Sequence, residues 1–169
     1  MVLLSGAQAQ AQTEERVSLK GGRISFVPPA GFKPWSKEAI ASMFGRDGAP
    51  NAPEVIYSDE RKNASLVVGF TVGGLQAEQL DEAKQGLEGE VNHRVPGVEW
   101  IEREIITRNG RRWIHLYWKA PTADVGFVND LYVTIFDGQL LMFTFKSTIA
   151  QYENYKDSLR RSAQTITVK

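Results

Sequence analysis

Apolar residues fill both parities of the strands in the second half of this chain. Ile114, Leu116 and Trp118 line one side of a strand, while Trp113, His115 and Tyr117 line the other. Leu131, Val133 and Ile135 stand opposite Val128, Tyr132 and Phe136 in the same way. A sheet with one wet face alternates cleanly between apolar and polar, so strands apolar on both sides are expected to be covered on both sides. Strands over 98–108 and 111–120 are joined by Asn109-Gly110, and strands over 127–136 and 139–146 by Asp137-Gly138. Both dipeptides favour two-residue hairpin turns, because each accepts the positive φ such turns require. The four strands read as an antiparallel meander, with 121–126 as the middle connection.

The first half is built of shorter pieces. Residues 17–19 and 23–27 flank Gly21-Gly22 as a small hairpin, ended by Pro28-Pro29-Ala30-Gly31-Phe32-Lys33-Pro34. Ser36 is a good N-cap for a short helix through Phe44, with Ile40, Met43 and Phe44 on one face and Gly45 as its stop. A loop with Gly48, Pro50 and Pro53 leads to a strand at 55–57, a polar turn at 59–63 and an apolar strand over 64–72. Leu80, Ala83, Leu87, Val91 and Val95 predict a helix over 76–95 with a narrow inward stripe. Ile149, Tyr152, Tyr155, Leu159, Ala163 and Ile166 recur at helical spacing and predict a closing helix over 149–165. Helices on both faces of an antiparallel sheet make this an α+β protein, an α/β/α sandwich with a single domain over 16–169.

Composition narrows the partners rather than the fold. The 169 residues carry 20 Lys and Arg against 20 Asp and Glu, so no long-range field steers the chain towards nucleic acid or anionic lipid. Cysteine is absent, which excludes disulfides, thiolate metal sites and a cysteine nucleophile. With His93 and His115 as the two histidines, a zinc site built mainly from histidine is not expected. No stretch has the ~20 apolar residues a membrane span needs. Val2-Leu3-Leu4-Ser5-Gly6, followed by Ala7-Gln8-Ala9-Gln10-Ala11, looks like the tail of a secretory signal with small residues alternating before a cleavage site. Residues 1–15 are therefore expected to be a disordered remnant of a leader, and the domain to be periplasmic or secreted from a bacterium.

The opening Ile24-Ser25-Phe26-Val27-Pro28-Pro29-Ala30-Gly31-Phe32 resembles the start of the Mog1/PsbP-like superfamily, which includes bacterial DcrB-type proteins. The order of elements is similar too: early hairpin, P-x-G-aromatic turn, small helix, strands, long helix, meander and closing helix. Tyr152-x-x-Tyr155-x-x-x-Leu159-x-x-x-Ala163-x-x-Ile166 is similar to the last helix of those domains, and the pattern spans about 17–168. The resemblance implies a role as an adaptor. Members bind other proteins, as a partner of a small GTPase, a photosystem accessory subunit or a chaperone of secretion-system effectors. It carries no catalytic residue over to this chain.

No G-x-S-x-G elbow, phosphate-cradling G-x-x-x-x-G-K-[ST] or post-strand G-x-G-x-x-G is present. Glu90-Val91-Asn92-His93 places a carboxylate and an imidazole on one helix face, but a di-iron bundle needs two such motifs and two further glutamates, so a solvated face is the favoured reading. His115 is the more informative residue. From the Asn109-Gly110 turn, position 115 falls near 104, so a cross-strand His115–Glu104 pair is expected, with Glu102 as a second available carboxylate. A general base also needs a nucleophile within reach, and none is evident, so a sheet-stabilising charge pair is favoured. Trp100, Trp113, Tyr117, Trp118 and Tyr132 either pack as core, the default, or line a groove. The expectation is a non-enzymatic accessory domain that engages a protein through Arg111, Trp113, His115 and Tyr117, without metal or cofactor, with a homodimer as a further arrangement. The alternative is a small-molecule or lipid carrier with its pocket between the sheet and the 76–95 helix.

Overall fold

The computed structural model describes residues 15–45, 52–71, 73–122 and 124–169. Apart from Glu15, the expected leader lies outside these residues, as do Gly48, Pro50 and Val72. In chain order the elements are β1 (Val17–Leu19), β2 (Ile24–Phe26), β3 (Lys33–Pro34), α1 (Lys37–Phe44), β4 (Pro53–Ser58) and β5 (Ala64–Phe70). There follow α2 (Leu80–Arg94), β6 (Glu99–Arg108), β7 (Arg111–Ala120), β8 (Phe127–Phe136), β9 (Gln139–Thr148), α3 (Tyr152–Gln164) and β10 (Thr167–Val168). Single 3-10 turns at Ala77–Gln79 and Ile149–Gln151 lead into α2 and α3.

The expected meander forms, and its turns explain its register. Asn109 and Gly110 have φ of 52° and 74°, and Asp137 and Gly138 have 49° and 75°. These left-handed pairs match the right-handed twist of the flanking strands, which pins β6 against β7 and β8 against β9. The meander is four strands of a seven-stranded antiparallel sheet ordered β3-β4-β5-β9-β8-β7-β6. β5 adds along β9, with Val68 opposite Phe143 and Leu66 opposite Phe145. Lys33–Pro34, expected as part of a turn, forms a two-residue edge strand, a place where proline's missing N–H costs the ladder nothing. The hairpin of β1 and β2 stays outside the main sheet and pairs instead with β10, beyond α3.

Both faces of the large sheet are covered. On one face, Leu80, Ala83, Leu87, Val91 and Val95 of the α2 segment pack on Ile114, Leu116, Trp118, Leu131 and Val133. On the other, Leu159 and Ala163 of α3 and Ile24 and Phe26 of β2 pack on Leu66, Val68, Trp113, Phe143 and Phe145. Phe26, Phe143 and Phe145 are fully buried, and each contributes about 1.5–3 kcal/mol relative to an exposed ring. The protein is thus α+β, with a central antiparallel sheet between helical layers. In α1, Ser36 caps the helix by accepting from the Ala39 N–H at 3.1 Å, and Ile40 is buried, while Met43 and Phe44 face out.

The cover over the second face is not uniform across the sheet. α3 packs over β5 and β9, well inside the sheet, whereas β6 forms its outer edge. Following one row of paired residues from β5 to β6 gives Val68, Phe143, Tyr132, His115 and Glu104; the next gives Leu66, Phe145, Asp130, Tyr117 and Glu102. Both rows start aliphatic at β5 and end on a glutamate at β6; the first passes through aromatic rings, and the second already carries a carboxylate, Asp130, on β8.

Candidate functional site

The outer ends of these two rows meet in a cleft of about 400 Å³ beside α3. Its lining includes His115, Tyr117, Asp130 and Tyr132 from the sheet, Glu102, Glu104 and Arg108 from the edge strand, and Arg160 from α3. His115 sits at the centre and is 7% exposed. Its ring stacks on Tyr132 at 4.5 Å between centroids and 12° between planes, a consequence of their being direct cross-strand partners. Its Nε2–H donates to Asp130 Oδ1 at 2.7 Å. Its Nδ1 faces the edge strand, 3.1 Å from Glu102 Oε2 and 3.8 Å from Glu104 Oε1. The expected register of 115 against 104 is present, and the closer carboxylate is Glu102.

Burial alone would push the His115 imidazole down, because it penalises the charged form. Asp130, by hydrogen bond and by charge, and then Glu102 and Glu104 outweigh it, so the imidazole is held above its ordinary range. Tyr132 is pushed up by burial and then by the Asp130 carboxylate; its hydroxyl lies 3.4 Å from Asp130 Oδ2. Tyr117 is pushed up by burial and then by the 2.6 Å hydrogen bond it donates to the Tyr152 hydroxyl of α3, partly offset by the nearby Arg160 charge. Arg108 lies over the Tyr132 ring at 5.3 Å and donates to the Ala163 carbonyl at 2.9 Å, which ties the edge strand to the end of α3. A rigid imidazole thus stands at the floor, with charged groups of both signs at the rim.

The four residues expected to form one contact patch do share a face of β7, but they do not share a surroundings. Arg111 lies at the hairpin end, donating to the Ile135 carbonyl at 2.9 Å, roughly 20 Å from Tyr117 at the usual strand rise. Trp113 is 4% exposed within the core, its ring 6.3 Å from Phe143. His115 and Tyr117 are brought together in the cleft. The wider aromatic group divides between the two faces: Trp100 packs on Trp118, with ring centroids 5.6 Å apart and planes tilted by 53°, on the α2 side, away from Tyr117 and Tyr132. Glu90 pairs with Arg94 at 2.9 Å rather than with His93, and both Glu90 and His93 are exposed. Beneath α2, where the alternative puts a carrier pocket, Ala83, Leu87 and Val91 pack against the second core. A larger hollow of about 710 Å³ lies around the Pro28–Phe32 turn, lined by loop residues and by Glu15, where the described segment begins. Asp130 is the residue the sequence reasoning missed. Its signal was a lone acid in a mostly apolar strand.

No protein-family model and no curated protein sequence matches the chain. Solved structures do. Cyanobacterial PsbP (CyanoP) from Synechocystis sp. PCC 6803 aligns over 98% of this chain and 99% of its own, with a TM-score of 0.67 at 16% identity. LpqN, described as involved in cell envelope biogenesis of Mycobacterium tuberculosis, aligns over 95% and 87%, with a TM-score of 0.58 at 9% identity. A protein of unknown function from Pseudomonas aeruginosa, PA94, described as a putative regulator, aligns over 92% and 96%, with a TM-score of 0.53 at 14% identity. At these identities the likeness is one of fold, and it runs nearly end to end: the chain has the Mog1/PsbP-like fold.

Proposed function

We propose that the chain is an exported, non-catalytic accessory domain that binds a protein partner at the mouth of the cleft between β6 and α3. The observation that supports this most is the character of the cleft itself. Its floor of Tyr117, Tyr132 and His115 is held rigid by stacking and hydrogen bonds, and its rim presents Arg108, Arg160, Glu102 and Glu104. Tyrosine and arginine around a preformed concavity are the residue types that dominate protein-binding hot spots, because they offer large area at low entropic cost. Catalysis fits less well. Both imidazole nitrogens face carboxylates, and the described lining offers no serine, threonine or lysine as a nucleophile. Export is supported by the alternating small residues over 7–11, and no helix among the described residues is long and apolar enough to cross a membrane.

The test places a photo-cross-linking amino acid at position 104, on the rim, or at position 82, on the exposed side of α2, in the native host's envelope. One dominant envelope protein captured from 104 but not from 82, and lost with Arg160→Glu, is the expected result. Equal capture from both positions, or none, refutes the assignment. A small molecule retained in the native mass spectrum without protein capture would favour the carrier reading instead.

A further inference from the structure

We propose that His115, Glu102 and Glu104 form a binding site for a first-row transition divalent cation, with Asp130 holding the imidazole from behind. The proposal stands on the geometry of the cleft and does not depend on a protein docking there.

Three donor atoms, one from each residue, lie within 4.8 Å of one another. From His115 Nδ1 the glutamate oxygens are at 3.1 and 3.8 Å. Donor atoms sharing a tetrahedral zinc at its usual bond lengths stand roughly 3.3–3.6 Å apart, so small rotations of two half-exposed glutamates close the site. The third carboxylate fixes the ring. Because Nε2–H donates to Asp130 at 2.7 Å, the neutral imidazole keeps its lone pair on Nδ1, aimed at the glutamates. A ligating histidine whose other nitrogen donates to a carboxylate is the usual outer-shell arrangement around a bound metal, and it settles both tautomer and ring angle.

A plain ion pair accounts for less of this arrangement. An imidazolium has one proton on Nδ1, and Glu102 at 3.1 Å takes it. Glu104 at 3.8 Å is then left beyond hydrogen-bond reach, converging on a nitrogen with nothing more to donate. A cation between the three groups uses every donor. Arg108 and Arg160, the other charged groups of the cleft, are turned to the Ala163 carbonyl and to the Tyr117–Tyr152 pair, so neither occupies that space. His115 is nearly buried while the glutamate side chains are 49% and 56% exposed, which provides an anchored base, an entry path and coordination positions open to water or to a partner's donor. One imidazole with two carboxylates and no thiolate favours zinc-like ions over calcium or magnesium, which prefer oxygen alone.

The experiment is a zinc titration of tag-free, EDTA-stripped protein by calorimetry, with the imidazole nitrogens followed by NMR. One equivalent is expected to bind with a shift at His115 Nδ1, and millimolar calcium should not displace it. Glu102→Gln with Glu104→Gln should weaken binding at least 100-fold, and Asp130→Asn about 10–100-fold. Circular dichroism checks that the variants fold; the two glutamates are exposed, so the double variant is the safer one. His93→Ala, which removes the other histidine, should bind as the parent does. Unchanged affinity in the double glutamine variant, loss of binding in His93→Ala, or no binding at millimolar zinc overturns the proposal.

Discussion

Trp113 is the residue at which packing and recognition make opposite predictions. If it were a surface anchor, Trp113→Ala would leave stability untouched and reduce binding. In the structure its side chain is 4% exposed, lies cross-strand from Ile106, packs on Phe143 and shares a core with Ile166. Truncating a buried tryptophan removes its transfer energy and leaves a cavity that a rigid sheet cannot collapse around, a cost of about 3–5 kcal/mol. Native domains have about 5–15 kcal/mol in total, so this one change should consume a large share of the margin. For a domain of this size it should lower Tm by roughly 6–20 °C. The assay is urea denaturation followed by far-UV circular dichroism, comparing midpoints at unchanged m. Trp113→Phe, which keeps most of the apolar volume, should cost less. A loss under about 1 kcal/mol for Trp113→Ala at unchanged m would refute the core assignment, and with it the packing of β7 against α3 and β10.

Two glycines and one tyrosine give further tests of the packing. A methyl group on Gly73 would stand 2.8 Å from the Gly138 carbonyl oxygen, in a turn whose own φ is already fixed, so Gly73→Ala should cost about 1–3 kcal/mol in the same assay. Gly126→Ala meets the tip of Ile149 at 2.5 Å, a side-chain end that can rotate away, so it should cost less than Gly73→Ala; the reverse order would contradict both placements. Tyr117→Phe deletes the 2.6 Å bond to the Tyr152 hydroxyl and should cost about 0.5–1.5 kcal/mol while leaving zinc affinity within twofold, because Tyr117 contributes no donor to the cation.

What was legible in the sequence was whatever a short-range rule controls. Asn109-Gly110 and Asp137-Gly138 announced two hairpins, and a two-residue turn fixes register, so Glu104 could be placed opposite His115 from residue numbers alone. Two-sided apolar strands correctly implied cover on both faces. The rest depended on pairings with no local signature. β7 and β8 are joined by six residues of no set turn type, so nothing in the sequence placed Tyr132 and Asp130 beside His115 and Tyr117. The register shift between Trp100 and Glu102 bends the end of β6, and Glu102 rather than Glu104 comes nearer to the imidazole. β3 and β10 have two residues each, too few to show a period, yet β10 decides that the first hairpin closes a separate sheet. Trp113 and His115 share a parity and a strand, and sequence had no means of telling that α3 and β10 cover one and leave the other at a cleft.

The position of the cleft follows from that difference in cover. Each of the two rows can be apolar where α3 covers it, over β5 and β9, and must become polar before it reaches water at β6. Glutamates at the rim satisfy that requirement, and so would lysines or serines. Solvation does not require a buried imidazole backed by an aspartate that is itself mostly buried, with side-chain exposures of 9% and 17%. Apolar residues of similar volume at 115 and 130 would serve the sheet as well or better, since replacing a buried ionic pair by packed hydrophobic groups is often neutral or stabilising. Asp130 acts through His115: its hydrogen bond to Nε2 sets the ring angle and turns Nδ1 towards Glu102 and Glu104. That orientation of Nδ1, at a cleft where the helical cover ends, supports the proposal that the His115 row serves something that binds there rather than the stability of the sheet alone.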